Sequence, residues 1–295
     1  MGSGSVSLDA SSGNVSIVAG TGKSTANQGV LINDARAIDA TNNLNISGAS
    51  TSSVGIQNNG LLTGGSINLT GTSDSNNGVY LTTSSLTSSS GDVSITGTSG
   101  TSSAISLQAA ITANQNVVLN GTNSTAPNAN PAIYLNKAVA ATNGTISITA
   151  DSSGSTAQAL QLASGSSLTT TNRSISLTTD SLNLDTTTAT INAGTSNVTI
   201  QNKNAGVQIA IGGVDVGNNI ATSRTLGLTN AELNRITASI LTIGSDTAGG
   251  IVVSSATTTA ATSGNLSLVT GGNISLSSAL TVGDAGATKS LTLKG

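Results

Sequence analysis

The sequence predicts an all-β protein: a right-handed parallel β-helix of about 11 three-sided coils, with one short helix near 230–236. Three observations carry this prediction. The composition lacks large core residues, an apolar-x-apolar unit recurs about every 27 residues, and insertions fall at one position of that unit. The handedness follows from the general rule for parallel crossover connections.

The composition favours a thin, ordered core. Aromatic residues make up 1% of the chain and charged residues 7%, while Gly occurs 35 times. Disordered chains usually combine low hydrophobicity with high net charge. This chain has 36% hydrophobic residues, a mean hydropathy of +0.14 and a net charge of −3, so it does not fit that class. The composition does fit a stack of coils whose core is filled by Val, Ile, Leu and Ala.

Several functions are excluded by residues that the chain lacks. It has no His and no Cys, which excludes Ser-His and Cys-His nucleophiles, thiolate redox chemistry, haem, and zinc bound by those residues. A disulfide framework is equally excluded. Nine Lys and Arg in 295 residues argue against nucleic-acid binding. We therefore expect no cofactor and no nucleic-acid partner.

The first strand of each coil follows a turn and reads apolar-polar-apolar. This alternation has period two, which is typical of a strand with one buried face. Seven such strands are regularly spaced, and they begin at Val15, Leu44, Ile67, Val93, Val117, Ile146 and Ile175.

Each coil contains two further apolar sites, and the spacing between sites predicts three sides. A second strand begins at Val30, Val54, Val79, Ile105, Ile133 and Leu160, and a third site lies at Ile38, Leu62, Leu86, Ile111, Val139 and Leu168. Two of the three gaps stay nearly constant, and only the gap between first and second strand varies widely. The insertions therefore belong to one corner, and the sequence places them at 18–27, 71–77, 121–130 and 150–157.

The chain is expected to form one domain in which segments of regular coils flank a segment of irregular coils. We expect regular coils over 1–178, irregular coils with a bulge and a short helix over 179–240, and coils continuous with the first part over 241–295. The stretch from 212 to 219 is rich in glycine and turn residues, which indicates an excursion from the stack.

A capping box predicts the one helix. Thr229 stands at the N-cap and Glu232 at N3, and Leu228 and Leu233 are spaced as a hydrophobic staple. Ile236 extends the apolar side, so a helix of one to two turns is expected. Glu232 is the only glutamate of the chain, and we interpret it as a helix cap rather than a catalytic group.

The candidate binding residues are Tyr80, Tyr134, Pro127 and Pro131. Both tyrosines occupy the outward middle position of a second strand, and both prolines lie in the longest insertion. Tyrosines exposed two coils apart could stack on sugar rings or anchor a protein partner. Equally, the neighbouring insertions could shield this sheet face. The outward row is expected to read Leu31, Gly55, Tyr80, Ser106, Tyr134 and Gln161.

The repeated Gly-Asn-apolar-Ser-apolar units, as at 13–17, resemble the repeat regions of filamentous haemagglutinin-type large repetitive adhesins. So does the run from Leu226 to Gly244 followed by Gly250–Val253. The resemblance implies a Gram-negative surface exoprotein of the two-partner-secretion kind, exported through an outer-membrane transporter and located at the bacterial cell surface or outside the cell. The family's N-terminal secretion domain is not recognisable. Met1-Gly2-Ser3 looks like an expression start, so we expect a repeat-region fragment.

Three functions follow from this interpretation. The first is a non-catalytic structural stalk of an adhesin, monomeric or associating end to end. The alternative is a module that itself binds a glycan or protein receptor through its insertion loops. A polysaccharide-active enzyme is the remote alternative, because the aspartates are scattered: the closest pairs are Asp34/Asp39 and Asp180/Asp185.

Overall fold

The fold is an all-parallel β-solenoid of about ten turns, consistent with the right-handed parallel β-helix that the sequence predicts. It was obtained as a computed structural model, which describes residues 8–10, 13–19, 22–33, 38–124, 130–152, 158–215, 224–259, 263–283 and 289–295. A regular coil contributes one strand to each of three faces, and its strands pair with the equivalent strands of the neighbouring coils.

The first face is continuous along the described chain. Its strands pair in register from Val15 with Leu44 at one end to Leu266 with Leu291 at the other. In three of its strands, β4, β6 and β24, the same strand continues from the third face into the first. The strands are β2 (Val15–Val18), β4 (Ile38–Ser50), β6 (Leu62–Ser73), β9 (Val93–Ser99), β12 (Val117–Asn123), β15 (Ile146–Asp151), β18 (Ile175–Thr179), β21 (Val198–Gln201), β24 (Ile236–Ser245), β27 (Ser263–Thr270) and β30 (Leu291–Lys294).

The second face consists of two separate sheets, one of seven strands and one of four. The first contains β3 (Val30–Ile32), β5 (Ile56–Asn58), β7 (Val79–Leu81), β10 (Ile105–Leu107), β13 (Ile133–Leu135), β16 (Leu160–Leu162) and β19 (Leu182–Leu184). The second contains β22 (Gln208–Ile211), β23 (Thr225–Leu228), β25 (Ile251–Val253) and β28 (Ile274–Leu276).

The third face is formed by short strands and by the first parts of β4, β6 and β24. The short strands are β1 (Leu8–Ala10), β8 (Leu86–Ser88), β11 (Ile111–Ala113), β14 (Ala138–Ala141), β17 (Ser167–Thr170) and β20 (Thr190–Asn192). Beyond β24, β26 (Thr257–Thr259) and β29 (Leu280–Val282) pair with each other in a sheet of two strands.

One core of aliphatic side chains runs through all the coils. Every buried first-face residue stacks on its equivalent, as Ile67 on Val93 and Val93 on Val117. Because the coil is narrow, Leu, Ile and Val side chains from its three faces fill its section, and aromatic side chains are not required. The core therefore explains the composition.

Inward serines turn the insertion corner between the first and second faces. The first-face strands end in a register column of Ser50, Ser73, Ser99 and Asn123, all buried. The Ser99 hydroxyl donates to the carbonyl of Asn76 at 2.7 Å and accepts the backbone N–H three residues ahead at 2.9 Å. A small hydroxyl thus satisfies the backbone groups that the bend leaves unpaired.

The sequence placed one second-face strand two residues too early. It predicted Val54-Gly55-Ile56, whereas β5 spans Ile56–Asn58 and pairs Ile56 with Val30. The outward row therefore contains Gln57 and not Gly55. Val54 lies in the turn, and the core position that Leu81 fills in the next coil is taken by the buried Asn58.

The short helix is confirmed, with an earlier end than expected. Helix α1 spans Asn230–Leu233, and β24 begins at Ile236. Both halves of the capping box form: the Thr229 hydroxyl accepts the Glu232 N–H at 3.2 Å, and the Glu232 carboxylate accepts the Thr229 N–H at 2.9 Å. Among the described residues, no helix has the length and apolarity that crossing a bilayer requires.

Candidate functional site

Tyr80 and Tyr134 lie in one outward row of the second face. The register aligns Tyr80 with Ser106 and Ser106 with Tyr134, so one coil separates the two rings. At the usual spacing between neighbouring strands, the two strands are roughly 10 Å apart. Ser106, whose side chain is small, forms a low point between two half-buried rings.

These residues line a shallow groove of about 360 Å³, the tyrosine groove. Pro131, which is buried, forms part of its wall. Three of the four predicted binding residues are thus brought together, and the fourth, Pro127, lies outside the described residues. The other lining groups are hydroxyls and amides: Asn77, Ser102, Ser103, Ser106, Gln108, Asn130 and Gln161.

Two amides of the groove, Asn77 and Gln108, are held through their side-chain oxygens. Asn77 accepts a hydrogen bond at Oδ1 from the Ser102 hydroxyl at 2.8 Å, and Gln108 accepts one at Oε1 from Asn136. The side-chain nitrogens of Asn77 and Gln108 have no acceptor among the described residues. In that part of the chain the phenol oxygens of Tyr80 and Tyr134 have no hydrogen-bond partner either. The groove therefore offers both donors and acceptors to a ligand.

The second candidate lies where the second face is interrupted. The chain enters this face as β22 and then returns as β23, which pairs on the side of β22 away from β25. Strand β23 therefore faces β19, yet the two belong to different sheets. One face thus contains an added strand that the sequence predicted only as an excursion.

Two carboxylates take the place of the missing strand pairing. In β16, Leu160 N–H donates to a carbonyl of the next coil, Ser181. In β19, the N–H groups of Leu182 and Leu184 instead donate to side chains: Asp215 Oδ2 and Glu232 Oε1, each at 3.0 Å.

The other oxygens of both carboxylates bind the β23 side of the interruption. Asp215 Oδ1 accepts the Gly227 N–H at 2.7 Å. Glu232 Oε2 accepts the N–H of Thr229 at 2.9 Å and its hydroxyl at 2.8 Å. Asp215 and Glu232 therefore bridge two sheet edges that have no backbone pairing, and all four carboxylate oxygens have protein donors.

A cleft of about 330 Å³, the carboxylate cleft, opens beside these bridges. It is lined by Asp215 and Glu232 together with Gln158, Leu182, Asn183, Leu184, Asp185, Thr186, Val214 and Thr229. Asp185 is engaged locally, since its Oδ1 accepts the N–H groups of Thr187 and Thr188. Within the described ranges, no group of three or more acidic side chains is placed to hold a metal ion.

Burial dominates the electrostatics of Asp215. Desolvation raises the pKa of its carboxyl from 3.8 to about 8, against the lowering effect of the Gly227 N–H bond. The negative charge of Glu232 raises this pKa further, and the Leu182 N–H bond lowers it. Near neutral pH Asp215 is therefore largely protonated, and a protonated carboxyl oxygen keeps acceptor capacity for the N–H bonds.

The raised pKa of Asp215 predicts a pH dependence of stability. Between about pH 4 and pH 8 the folded chain holds a proton that the unfolded chain has lost, so the free energy of unfolding falls as the pH rises. We expect thermal unfolding temperatures to decrease across this window in the wild type, and the Asp215→Asn variant to lose most of that slope. An identical slope in both proteins would contradict the assignment.

A buried ion pair anchors the segment that leads into β23. Arg224 Nη1 lies 3.6 Å from Asp180 Oδ2, and Arg224 Nη2 donates to the Ser152 carbonyl at 2.8 Å. Asp180 Oδ1 also accepts the backbone N–H groups of Lys203 and Asn204. The pair Asp180/Asp185 therefore does not act as a unit, because Asp180 joins coils and Asp185 caps a turn. Of the pair Asp34/Asp39, Asp34 lies outside the described residues.

The sequence had pointed to only part of the carboxylate cleft. Glu232 carried a signal as a helix cap, which is confirmed, but its bond to Leu184 joins residues 48 positions apart. Asp215 carried no signal beyond its place in a turn-rich stretch. Both roles depend on the added strand, which no local pattern specifies.

Taken together, the fold defines a parallel β-solenoid repeat segment. No family model matches the chain, and neither a curated protein nor a solved structure matches it. The solenoid is compatible with a repetitive β-helix adhesin, and the resemblance to the filamentous haemagglutinin type stays a prediction.

Proposed function

We propose that the chain is a non-catalytic stalk segment of a bacterial adhesin, exported through an outer-membrane transporter to the cell surface or the medium. One observation carries the proposal: the first face pairs in register along the described length of the solenoid. The hydrogen bonds between strands then run along the solenoid axis. Where the second face is interrupted, the first and third faces remain continuous. Such a stack is a rigid spacer, which is what a stalk requires.

The state of the carboxylates supports a non-catalytic role. Each oxygen of Asp215 and Glu232 accepts a hydrogen bond from the protein, and together they hold two strands in place. A general acid or base needs a free position beside a substrate. The carboxyl groups of the cleft are therefore better explained as structural groups that replace the missing backbone hydrogen bonds of the interrupted sheet.

For the isolated segment we propose a monomer or end-to-end association. The described residues beyond β27 expose large apolar side chains, namely Leu276, Leu291 and Leu293. Their strands β28 and β30 each pair with one neighbour only among the described residues. An open strand edge is a template for a further strand, so this end favours stacking on another coil.

A second candidate function is a binding module. The tyrosine groove favours it, since aromatic rings and a proline wall converge there with the side-chain nitrogens of Asn77 and Gln108, which have no acceptor among the described residues. A receptor of glycan or protein nature fits this description. A stalk and a binding groove are compatible in one chain, because the groove occupies one face of a few coils.

Duplication of whole coils tests the spacer role. A second copy of residues 117–174, two coils by register, should fold and lengthen the solenoid by roughly 10 Å at constant cross-section. Small-angle scattering measures both dimensions. As a control, a Gly/Ser insertion of equal length after residue 130 should leave the solenoid length unchanged. A widened or unfolded duplicate would contradict a stalk, and polysaccharide turnover by the chain would contradict its non-catalytic role.

A further inference from the structure

The tyrosine groove has the geometry of a site for an extended chain. Tyr80 and Tyr134 lie in one column along the solenoid axis, with Ser106 between them. A ligand that contacts both rings must therefore run along the axis and cross three coils. A single ring or a compact ligand reaches only one tyrosine.

The column matches an extended β-linked sugar chain. In such a ribbon successive pyranose rings are turned over, so alternate rings present the same face on the same side. Two strand spacings, roughly 10 Å, are close to the distance between those alternate rings. The first and third rings can stack on Tyr80 and Tyr134 while the middle ring lies over Ser106. Strongly curved α-linked chains do not keep this spacing.

The edges of the groove match hydroxyl groups. The side-chain nitrogens of Asn77 and Gln108 and both phenol oxygens have no hydrogen-bond partner among the described residues. Elsewhere on the solenoid, outward amides pair with each other between coils, as Asn68 with Asn45 at 3.0 Å. Unpaired polar groups beside aromatic rings are the pattern by which proteins orient polar ligands with an apolar face.

The groove selects an uncharged ligand. All the described residues that line it are uncharged. A uronic-acid polymer would find no cation among the described lining residues to compensate its charge. We infer that the tyrosine groove binds a neutral, β-linked polysaccharide chain lying along the solenoid axis, with two sugar rings stacked on Tyr80 and Tyr134.

This inference goes beyond the stalk function and does not depend on it. A stalk that binds nothing would fail the binding experiment and still lengthen by duplicated coils. A segment that binds sugar and does not lengthen would fail only the spacer experiment. The two ideas can therefore fall separately.

Titration calorimetry with tetrasaccharides tests the inference on the full chain. At least one of cellotetraose, xylotetraose and chitotetraose should bind at least about tenfold more tightly than α-linked maltotetraose or a charged tetragalacturonate. The corresponding disaccharide should bind about tenfold or more weakly, because it cannot span both rings. No measurable binding of any β-linked tetrasaccharide at millimolar concentration overturns the inference, as does equal binding of the α-linked or charged chains.

Four groove variants and one control variant make the test specific to the groove. Tyr80→Ala and Tyr134→Ala should each weaken binding at least about tenfold, whereas Tyr80→Phe, which keeps the ring, should retain most of it. Ser106→Tyr fills the low point of the groove and should also abolish binding. If sugars merely adhered to any exposed aromatic ring, this added tyrosine would instead increase binding. Leu31→Ala lies in the same row outside the groove and serves as the matched control.

Stability and binding are separated by unfolding measurements on the same samples. Tyr80 and Tyr134 are half-buried and Leu31 is exposed, so thermal unfolding of their variants should change little. Ser106 is buried at the base of the groove, so Ser106→Tyr counts as a binding test only at an unfolding temperature equal to that of the wild type. Unchanged affinity in both alanine variants, or equal loss in Leu31→Ala, overturns the inference.

Discussion

Replacing Gly97 by alanine is expected to destabilise the solenoid by about 3 kcal/mol, the upper range for an overpacked core position. Gly97 faces inward in β9. A methyl group there would lie 2.1 Å from the Ala104 carbonyl oxygen and 2.7 Å from Ile105 Cγ1. The nearest obstacle is backbone, so relief requires the two strands to move apart.

The reason lies in the close approach of the backbone at the insertion corner. Gly71, Gly97 and Gly121 form one register column, and Ala150 takes the equivalent place in the next coil. Behind Gly71 and Gly97 the nearest atom is a backbone carbonyl oxygen, whereas behind Gly121 it belongs to the Ile133 side chain. The backbone obstacle is therefore strongest at Gly71 and Gly97, and one coil beyond Gly121 the column holds an alanine.

Urea unfolding followed by circular dichroism measures the effect. Gly13→Ala is the matched control, because nothing lies within 4 Å of the added methyl group. Equal stability of the two variants would show that the corner can widen freely, contrary to the expectation.

Replacing Glu232 by alanine is expected to destabilise the region around the interruption by about 3 kcal/mol. The change removes the acceptor for Leu184 N–H, which is buried, and for Thr229 N–H and its hydroxyl. A buried backbone N–H left without an acceptor costs about 1–3 kcal/mol, and the lost capping box adds about 1 kcal/mol.

The loss should be local, so hydrogen exchange is the better measurement. The amides of Leu182, Leu184 and Thr229 should exchange faster in Glu232→Ala, whereas first-face amides should change little. Glu232→Gln should have an intermediate effect, because one acceptor oxygen remains. Asp185→Ala is the control in the same cleft, since the Asp185 carboxylate accepts hydrogen bonds from Thr187 and Thr188 of its own turn and bridges no sheet edges in the described chain. Protection at Leu184 equal to that of the wild type would refute the bridging role.

The regular coils were predictable because independent features of the sequence all indicate the same strands. Period-two alternation, inward Val, Ile and Leu, and a single corner for insertions all specify one stacked strand per face. Where the pattern was ambiguous, the prediction was wrong. Val54 and Ile56 are both apolar, so period two fits both strand positions, and the structure uses Ile56 with Asn58 inward. The buried Asn58 is satisfied locally, since Nδ2 donates to the Gly60 carbonyl at 2.7 Å.

The interruption of the second face could not be predicted from the local sequence pattern. The segment of β23 has the same apolar alternation as any coil, and nothing in it specifies which strand it joins. Its position is fixed by distant partners: Arg224 with Asp180, and Glu232 with Leu184. The tyrosine row was visible because it follows from strand period and coil spacing. That the side-chain nitrogens of Asn77 and Gln108 have no acceptor among the described residues required the side-chain contacts.

The interruption has a mechanical consequence. The first and third faces stay paired past β20 and β21, while the second face is joined there through side chains. A stack with one weakened face does not bend equally in every direction. Bending that opens the second face loads the side-chain contacts of Asp215, Glu232 and Arg224, whereas bending the opposite way must stretch complete ladders of backbone bonds. The solenoid is thus compliant in one plane at one level, and the protonation of Asp215 belongs to that joint.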